Sequence, residues 1–478
     1  MKITLIAPPL LLQKGDLFGS GVPFLPVETA IFAGFLRQRG VDVKVVDCFG
    51  EKPRQMTGFG KFALAGLSET ETLALIDKDS DFVGIMTSTA VYSTVPFAFV
   101  SSLALKIKSG FKAKLFFSGI VPTSEPKPFL DAGADFVVLG DPEAVFEKIS
   151  LKKIGSGPGI AFKHGNKVHS EQAVCRMADL DAVPFPAWDL FPLENYWRLG
   201  FAHGPVHGKY LPILSSRGCP FNCGFCVVPA VWKNRWAARS AKNVVDELAH
   251  WNEKLGVADF HFEDFNPTVD KGRMKEISRE IISRKLEISW KLVSGTKVET
   301  LDEETLEIMA KAGCDYISIS PETGSKAVLG LMGKPFDYAY AEKMLKKMSA
   351  LGISAQACFV IGYPGEGDSD RALSVEYAKK LAKVGVDEIA VFIMAPLPGA
   401  RVSKQKWDYS SYEQLTFSPA WRADFGALAS ARMRMYMEFL LHKSLWHPMR
   451  VLSMLWNALR GQYSTKMEMA AGKFLRSL

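Results

Sequence analysis

Short apolar runs alternate with amphipathic stretches through the first 150 residues, and most runs end in small, polar or glycine residues. Ile3–Ala7 reads as a buried strand. Pro26–Arg39 reads as a helix with a basic last turn, stopped by Gly40. Val41–Asp47 alternates like a second strand, and Phe82–Met86, Ala113–Phe117 and Phe136–Leu139 are further strands. This rhythm predicts an α/β unit over residues 1–145, a parallel sheet wrapped by helices. Ligands of such sheets bind beyond the carboxyl ends of the strands. Thr87-Ser88, Gly119 and Gly140 fall at those ends.

Residues 146–207 read as a linker with local structure. Gly155–Gly159 is turn-rich, Ile160–Val168 suits a small hairpin around His164-Gly165-Asn166, and Val183–Leu190 suits an extended connector held by Trp188. From residue 208 to 405 strand-like and helical stretches alternate again. The strands fall at Tyr210–Ser215, Ala258–Phe262, Ile288–Val293, Tyr316–Ser320, Ser354–Ile361 and Asp387–Met394. Val244–Leu255 and Leu301–Ala312 are helices between them. The pattern is that of a partial six-stranded (β/α) barrel, whose active sites lie at the carboxyl ends of the strands. Residues 406–478 read as a helical segment. Within it Leu440–Leu459 is rich in Leu and Met, carries Trp446 and Trp456, and has His447-Pro448 interrupting or starting a helix.

A chain of 478 residues has room for two to four domains, and 48% apolar with 23% charged residues is an ordinary globular balance. The net charge is +7, yet residues 431–478 alone hold eight Lys or Arg against two acids. The rest is close to neutral, which argues against a broad nucleic-acid-binding face. A basic, aromatic tail can lie on an anionic membrane surface or cap the barrel. No stretch of about 18 uncharged apolar residues predicts a spanning helix. The opening Met1–Pro9 is too short an apolar run for a signal peptide. Seven dispersed cysteines do not make a disulfide framework, and the expected compartment is a reducing cytoplasm, with membrane association through the tail.

The chemistry concentrates in Gly218-Cys219-Pro220-Phe221-Asn222-Cys223-Gly224-Phe225-Cys226. The C-x3-C-x2-C spacing converges three thiolates on one loop. Iron–sulfur clusters normally take four cysteines, so three suggest a four-iron cluster with one iron open to an outside ligand. A zinc knuckle would want a fourth ligand at close spacing; His203 and His207 lie upstream, but no second C-x2-C exists. Cys48, Cys175, Cys314 and Cys358 are scattered and suit core packing.

With Phe225 before the last cysteine and a strand before the loop, this segment resembles the signature of the radical S-adenosylmethionine (radical SAM) superfamily. The resemblance implies a [4Fe-4S] cluster on Cys219, Cys223 and Cys226, whose open iron chelates the cofactor's amino and carboxylate groups. Reductive cleavage of the sulfonium then gives a 5′-deoxyadenosyl radical. Three later stretches resemble the family's cofactor motifs, in order. They are Glu263-Asp264 at the second strand end, Glu322-Thr323-Gly324-Ser325 at the fourth, and Gly362-Tyr363-Pro364-Gly365-Glu366 at the fifth. By that resemblance Phe225, Glu263, Asp264, Glu322, Gly324, Ser325, Gly362, Tyr363 and Gly365 border S-adenosylmethionine. A carboxylate suits an amine or a ribose diol, and glycine lets the backbone approach. Where relatives usually have glycine or valine, this chain has Ser320-Pro321.

Residues 1–145 resemble the cobalamin-binding domain that precedes many radical SAM cores, which places Thr87, Ser88, Gly119 and Gly140 near that cofactor. The D-x-H-x-x-G motif is absent, and no histidine precedes His164. The implied enzyme uses both cofactors to modify an unactivated carbon, by methyl transfer. A radical cyclase, rearranging or oxidising enzyme has the same layout, and a non-catalytic metal scaffold is the reading of another class. The expected partners are a small-molecule or lipid-like substrate and a reductant such as flavodoxin or ferredoxin, with peripheral membrane contact through the basic carboxyl terminus.

Overall fold

The structure is a computed structural model that describes residues 1–16, 21–87, 96–148, 157–165, 167–170 and 174–477. Two compact units emerge. One comprises residues 1–199, 226–237 and 396–416, and the other residues 200–225, 238–395 and 417–478.

The first unit is built on strands β1 (Lys2–Ala7), β2 (Asp42–Asp47), β3 (Phe82–Met86), β4 (Lys114–Ser118), β5 (Phe136–Val138), β6 (Ile160–His164) and β7 (Lys167–Ser170). Their order in the sheet is β7-β6-β5-β4-β3-β1-β2. β1 to β5 are parallel, with Ile3 opposite Val43 on one side and Phe82 on the other. Such strands are covered on both faces, which is why Ile3, Leu5, Ile6, Val83, Ile85 and Phe116 are fully buried in continuous apolar runs. The strand order reverses beside β1, so the crevice beyond the carboxyl ends of β1 and β3 is the ligand position of this topology.

The expected hairpin forms, but β6 and β7 extend the sheet as antiparallel strands instead of bridging units. The Val183–Leu190 connector is seated on helix α1 (Val27–Gln38). Ala187 N donates to Ala30 O at 2.8 Å, a Cβ on Gly34 would come within 2.7 Å of Phe185 O, and Trp188 is buried. A three-stranded antiparallel sheet (Leu10–Gln13, Met56–Phe59, Phe62–Ala65) was not foreshadowed by the pattern.

The contiguous 208–405 core expected from sequence is interrupted. Residues 396–416 pack with the first unit because Phe97 meets Tyr412 edge-on at 5.1 Å, Tyr412 OH donates to Glu125 at 2.6 Å, and Glu413 Oε1 accepts from Ala98 N at 2.5 Å. Residues 226–237 join it through Arg176 Nη2, which donates to Val231 O at 3.2 Å.

The second unit is a parallel six-stranded partial barrel, in sequence order: β8 (Tyr210–Ile213), β9 (Asp259–Phe262), β10 (Ser289–Thr296), β11 (Cys314–Glu322), β12 (Ser354–Ile361) and β13 (Glu388–Ile393). Crossing helices include α2 (Ala241–Leu255), α3 (Glu303–Lys311), α4 (Lys326–Met332), α5 (Tyr338–Ala350) and α6 (Asp368–Val384). α2 begins three residues before the expected Val244, because Ser240 caps it by accepting from Asn243 N. β11 runs through Pro321, where the ladder to β12 breaks between Ile319 and Glu322 and no N–H is needed.

The tail forms α7 (Phe425–Trp446), α8 (Pro448–Arg460) and α9 (Lys466–Ser477). α9 starts on the barrel itself. Buried Glu388 accepts from Lys466 N at 3.2 Å and Met467 N at 2.7 Å, and Lys466 Nζ donates to Val293 O at 2.9 Å. α9 is thereby tied at its start to β10 and β13. No helix among the described residues is long and apolar enough to cross a membrane.

Trp188→Ala should lower stability by about 3–5 kcal/mol, the usual cost of emptying a buried tryptophan site, read as an earlier first transition in urea unfolding. Trp188→Phe should recover most of it.

Candidate active site

β8 runs into Leu214-Ser215-Ser216-Arg217, and Gly218 turns with φ +79°, a left-handed value that suits glycine, into Cys219. Several buried groups fix this strand end. Asp264 Oδ2 accepts from Ser215 N at 3.0 Å, while its Oδ1 accepts from Ser215 Oγ at 2.8 Å and Ser216 Oγ at 2.5 Å. Arg273 Nη2 donates to Ser215 O at 2.7 Å, and Arg239 Nη1 donates to Leu214 O at 3.2 Å. Further along the loop, Gly224 N donates to Met332 O at 2.7 Å.

Cys219, Cys223 and Cys226 are partly exposed, and no thiol of the chain is in a disulfide. No group of three ligand side chains is already gathered as a closed metal site among the described residues. The fit to a cluster therefore rests on the donor set: three thiols within eight residues of one loop. The other four thiols are buried and dispersed along the chain. Burial pushes Cys48 up to about 12 and Cys358 up to about 11, and also raises Cys314 and Cys175.

Two lysines face the loop. Lys297 Nζ lies 5.2 Å from the Phe221 ring centroid, and Lys334 Nζ lies 6.0 Å from that of Phe225. Burial raises the Cys219 thiol on balance, and the Phe221 backbone, Lys334 and Lys297 oppose the rise. Lys334 donates to Ser320 O at 2.7 Å and pairs with Glu322, both side chains being buried. Burial raises the Glu322 carboxyl and Lys334 opposes that rise. The ammonium of Lys334, which burial alone would lower, is held up by Glu322 and Cys223. Glu322 has φ +64°, an uncommon backbone state for a side-chain-bearing residue, and such strain persists mostly where function requires it.

The expected cofactor residues divide into two groups. Glu322, Phe225, Gly362, Tyr363 and Gly365 lie at or beyond strand ends in the barrel unit. Gly362 (φ +76°) and Gly365 (φ +91°) require glycine conformations, and Gly362 N donates to Glu366 Oε2 at 2.5 Å. Tyr363 is buried, and its OH donates to Leu331 O at 3.4 Å.

Glu263, Asp264, Gly324 and Ser325 are engaged by the protein. Glu263 Oε2 meets His203 Nδ1 at 2.7 Å, so the strand-end acid expected to serve an amine is taken by a histidine 60 residues upstream. Asp264 holds the loop's root, as above. A Cβ on Gly324 would stand 2.2 Å from Leu373 O, so this glycine serves packing against α6. Ser325 caps α4 and donates to Asp370 at 2.6 Å.

Sequence reasoning missed Lys334, and weighed His203 only as a zinc ligand, not as the partner of Glu263. A lysine after the helix-ending Gly333 looks like an ordinary solvated residue, and His203 sits in the linker.

At the first unit's strand ends, Thr87 is buried and its N donates to Ser118 O at 2.8 Å, and Gly119 (φ +140°) opens a helical turn. Ser88 lies outside the described residues. Gly140 has a structural reason: a Cβ there would stand 2.2 Å from Cys175 O. Thr87 and Gly119 follow β3 and β4, on the carboxyl-end edge of the sheet where an open parallel sheet takes its ligands, and Gly140 makes room for the turn behind.

Residues 213–378 match the model of the Radical SAM superfamily. An uncharacterised methyltransferase of Pyrococcus horikoshii is 28% identical over 438 residues, covering 88% of this chain and 86% of that protein. Cytidylyl-2-hydroxyethylphosphonate methyltransferase of Streptomyces wedmorensis is 25% identical over 451 residues, covering 84% and 81%. Among solved structures, the radical S-adenosylmethionine methyltransferase TsrM of Kitasatospora setae, with cobalamin and a [4Fe-4S] cluster bound, shares the fold. Its TM-score is 0.63 at 18% identity, over 84% of this chain and 76% of that one. The cobalamin-dependent radical enzyme OxsB, with aqua-cobalamin bound, gives 0.61 at 16%, over 91% and 56%.

Glu366 supplies a pH signature. Its side chain is buried, Oε1 has no hydrogen-bond partner, and burial pushes the carboxyl up to about 7. Between about pH 4.5 and 7 the unfolded chain ionises this group while the folded chain keeps its proton, so stability falls as pH rises through that window. Urea midpoints measured from about pH 5 to about pH 8 should decline, and Glu366→Gln should flatten the decline.

Proposed function

We propose that this chain, a member of the radical SAM superfamily with a cobalamin-binding-type amino-terminal domain, cleaves S-adenosylmethionine reductively and methylates an unactivated carbon of its substrate. The observation that carries the reading is the three-thiol loop at the carboxyl end of β8, flanked by Lys297 and Lys334. When bound, the cluster would supply the electron that breaks the sulfonium bond, and cobalamin would supply the methyl group.

The chain's own residues bind and orient. Cys219, Cys223 and Cys226 would hold three irons. Asp264, Arg273 and Arg239 fix where their loop leaves the barrel. Lys297 and Lys334 offset the negative charge that thiolates and sulfide bring into a partly buried site. Glu322 and the Gly362–Glu366 turn would line the nucleoside, and Thr87 and Gly119 would face cobalamin from the ends of β3 and β4. No histidine among residues 1–163 is available as a lower cobalt ligand.

The partners of this reading are a small or lipid-like substrate, an electron donor of the flavodoxin or ferredoxin type, and a membrane surface at the carboxyl-terminal helices. Its compartment is the cytoplasm. One observation favours a second reaction. A curated relative, the anaerobic magnesium-protoporphyrin IX monomethyl ester cyclase of Cereibacter sphaeroides, is 25% identical over 364 residues, covering 72% of this chain and 56% of that protein. A cyclase would use the same radical without transferring a methyl group.

Anaerobic reconstitution should give about four irons and four sulfides per chain, with a reducible visible spectrum that shifts on adding S-adenosylmethionine. Serine at Cys219, Cys223 and Cys226 together should reduce both contents to background. Stoichiometric zinc without sulfide would defeat the radical reading in favour of a metal scaffold. Turnover that yields both 5′-deoxyadenosine and S-adenosylhomocysteine supports methylation, and deoxyadenosine alone supports the cyclase reading.

A further inference from the structure

α8 has no buried residue along its length. Met449, Leu452, Leu455, Trp456 and Leu459 recur at helical spacing, so they share one side, and all are exposed; Met449 is 72% and Leu459 76% accessible. The preceding helix continues the pattern at its end, where Leu441, Leu445 and Trp446 are exposed. Water-facing tryptophans, leucines and methionines in such number are abnormal for a free soluble surface.

The charges around this side choose the occupant. α8 contains no acidic residue. Arg460 lies over the Trp456 ring at 4.5 Å, and Lys383 of α6 lies over the Trp446 ring at 4.2 Å. Each exposed tryptophan is thus paired with a cation at an end of the apolar side, the arrangement that suits the headgroup level of a bilayer. Of the eight Lys and Arg in residues 431–478, Arg432 and Lys443 are buried and Lys466 is turned to the barrel, so the cations that mark this side are Arg460 and, from α6, Lys383. A second copy seated on this side would bring the same cations back against themselves, whereas an anionic lipid surface complements them.

We propose that α8, with the end of α7, is an interfacial helix that docks the protein on an anionic bilayer, apolar side inward and lying in the membrane plane. At about 1.5 Å per residue, its 13 residues span roughly 20 Å of surface. The ends are held by the protein. Arg450 donates to Gly385 O at 2.8 Å and to Ser349 Oγ at 2.7 Å, and α9 returns to the barrel. The helix is presented on a fixed base, and docking rests on this surface whatever reaction the site performs.

The test is co-sedimentation of the full-length reconstituted protein with vesicles of phosphatidylcholine alone and of phosphatidylcholine with phosphatidylglycerol. Partition onto the anionic vesicles should exceed that onto neutral ones by roughly tenfold or more, since each cation near an anionic surface contributes roughly fivefold, and should fall with added salt. Leu452→Glu with Leu455→Glu should abolish it without changing the thermal midpoint, iron content or cleavage of S-adenosylmethionine, because both residues are more than half exposed. Trp456 emission should shift to the blue on anionic vesicles in the wild type only. Equal sedimentation of wild type and variant, or no partition on either vesicle, overturns the proposal. A wild-type dimer that the substitutions dissolve also overturns it, and assigns the surface to contact between copies. Loss of cluster chemistry with vesicle binding intact would strike the proposed reaction alone.

Discussion

The point where the three-thiol loop leaves the barrel is set by one buried carboxylate. Asp264, just beyond the end of β9, accepts three hydrogen bonds from Ser215 and Ser216, immediately before the loop begins. Burial raises this carboxyl, and the serine donors and Arg273 oppose the rise. A buried acid so enclosed cannot lose one partner cheaply, because the remaining polar groups would be left without water or substitute. Arg273 and Arg239 grip the neighbouring carbonyls. The root of the loop is therefore rigid, while the thiols beyond it remain partly exposed. A metal centre needs that division: fixed origin, accessible donors.

Charge around the loop follows from the same economy. Three thiolates in a site of restricted hydration repel one another, and Lys297 and Lys334 stand where they reduce that repulsion. Lys334 is itself buried and needs an anion of its own. Glu322 provides it, from a backbone state that β11 reaches only by breaking its ladder at Pro321. The irregular strand end, the positive φ and the buried ion pair are thus parts of one device. Removing the regularity of β11 brings the carboxylate close to the lysine beside the three-thiol loop.

Much of this was legible in the sequence, because the strands of both units are short apolar runs ended by small or polar residues, and their buried faces demand that pattern. The loop was legible because three cysteines at fixed spacing have few uses. What escaped reading depends on partners far along the chain. Glu263 and Asp264 look alike as a strand-end acidic pair, yet their roles differ through His203 and Ser215, 60 and 49 residues away. Gly324 and Gly140 read as ligand glycines, and in the structure a side chain at either would meet the backbone carbonyl of Leu373 or Cys175. Residues 396–416 carry no local mark of belonging with the first unit; Phe97, Glu125 and Ala98 attract them.

The tail shows how a helix can be placed without being packed. An isolated helix of 13 residues is marginal in water, and α8 buries no side chain to compensate. Its limits come from elsewhere: Pro448 sits at the first helical turn, Gly461 ends it with φ +70°, and Arg450 ties its start to Gly385 and Ser349. On either side α7 is fastened through the Tyr436 OH to Val391 N, at 3.0 Å, and α9 through Lys466. A connector between two such anchors needs only length, and polar residues would meet that need at lower risk of aggregation. That the connector is helical, apolar along one side and free of acids is a property the barrel's stability does not require. The selective reason for it must lie outside the chain, in whatever surface that side meets.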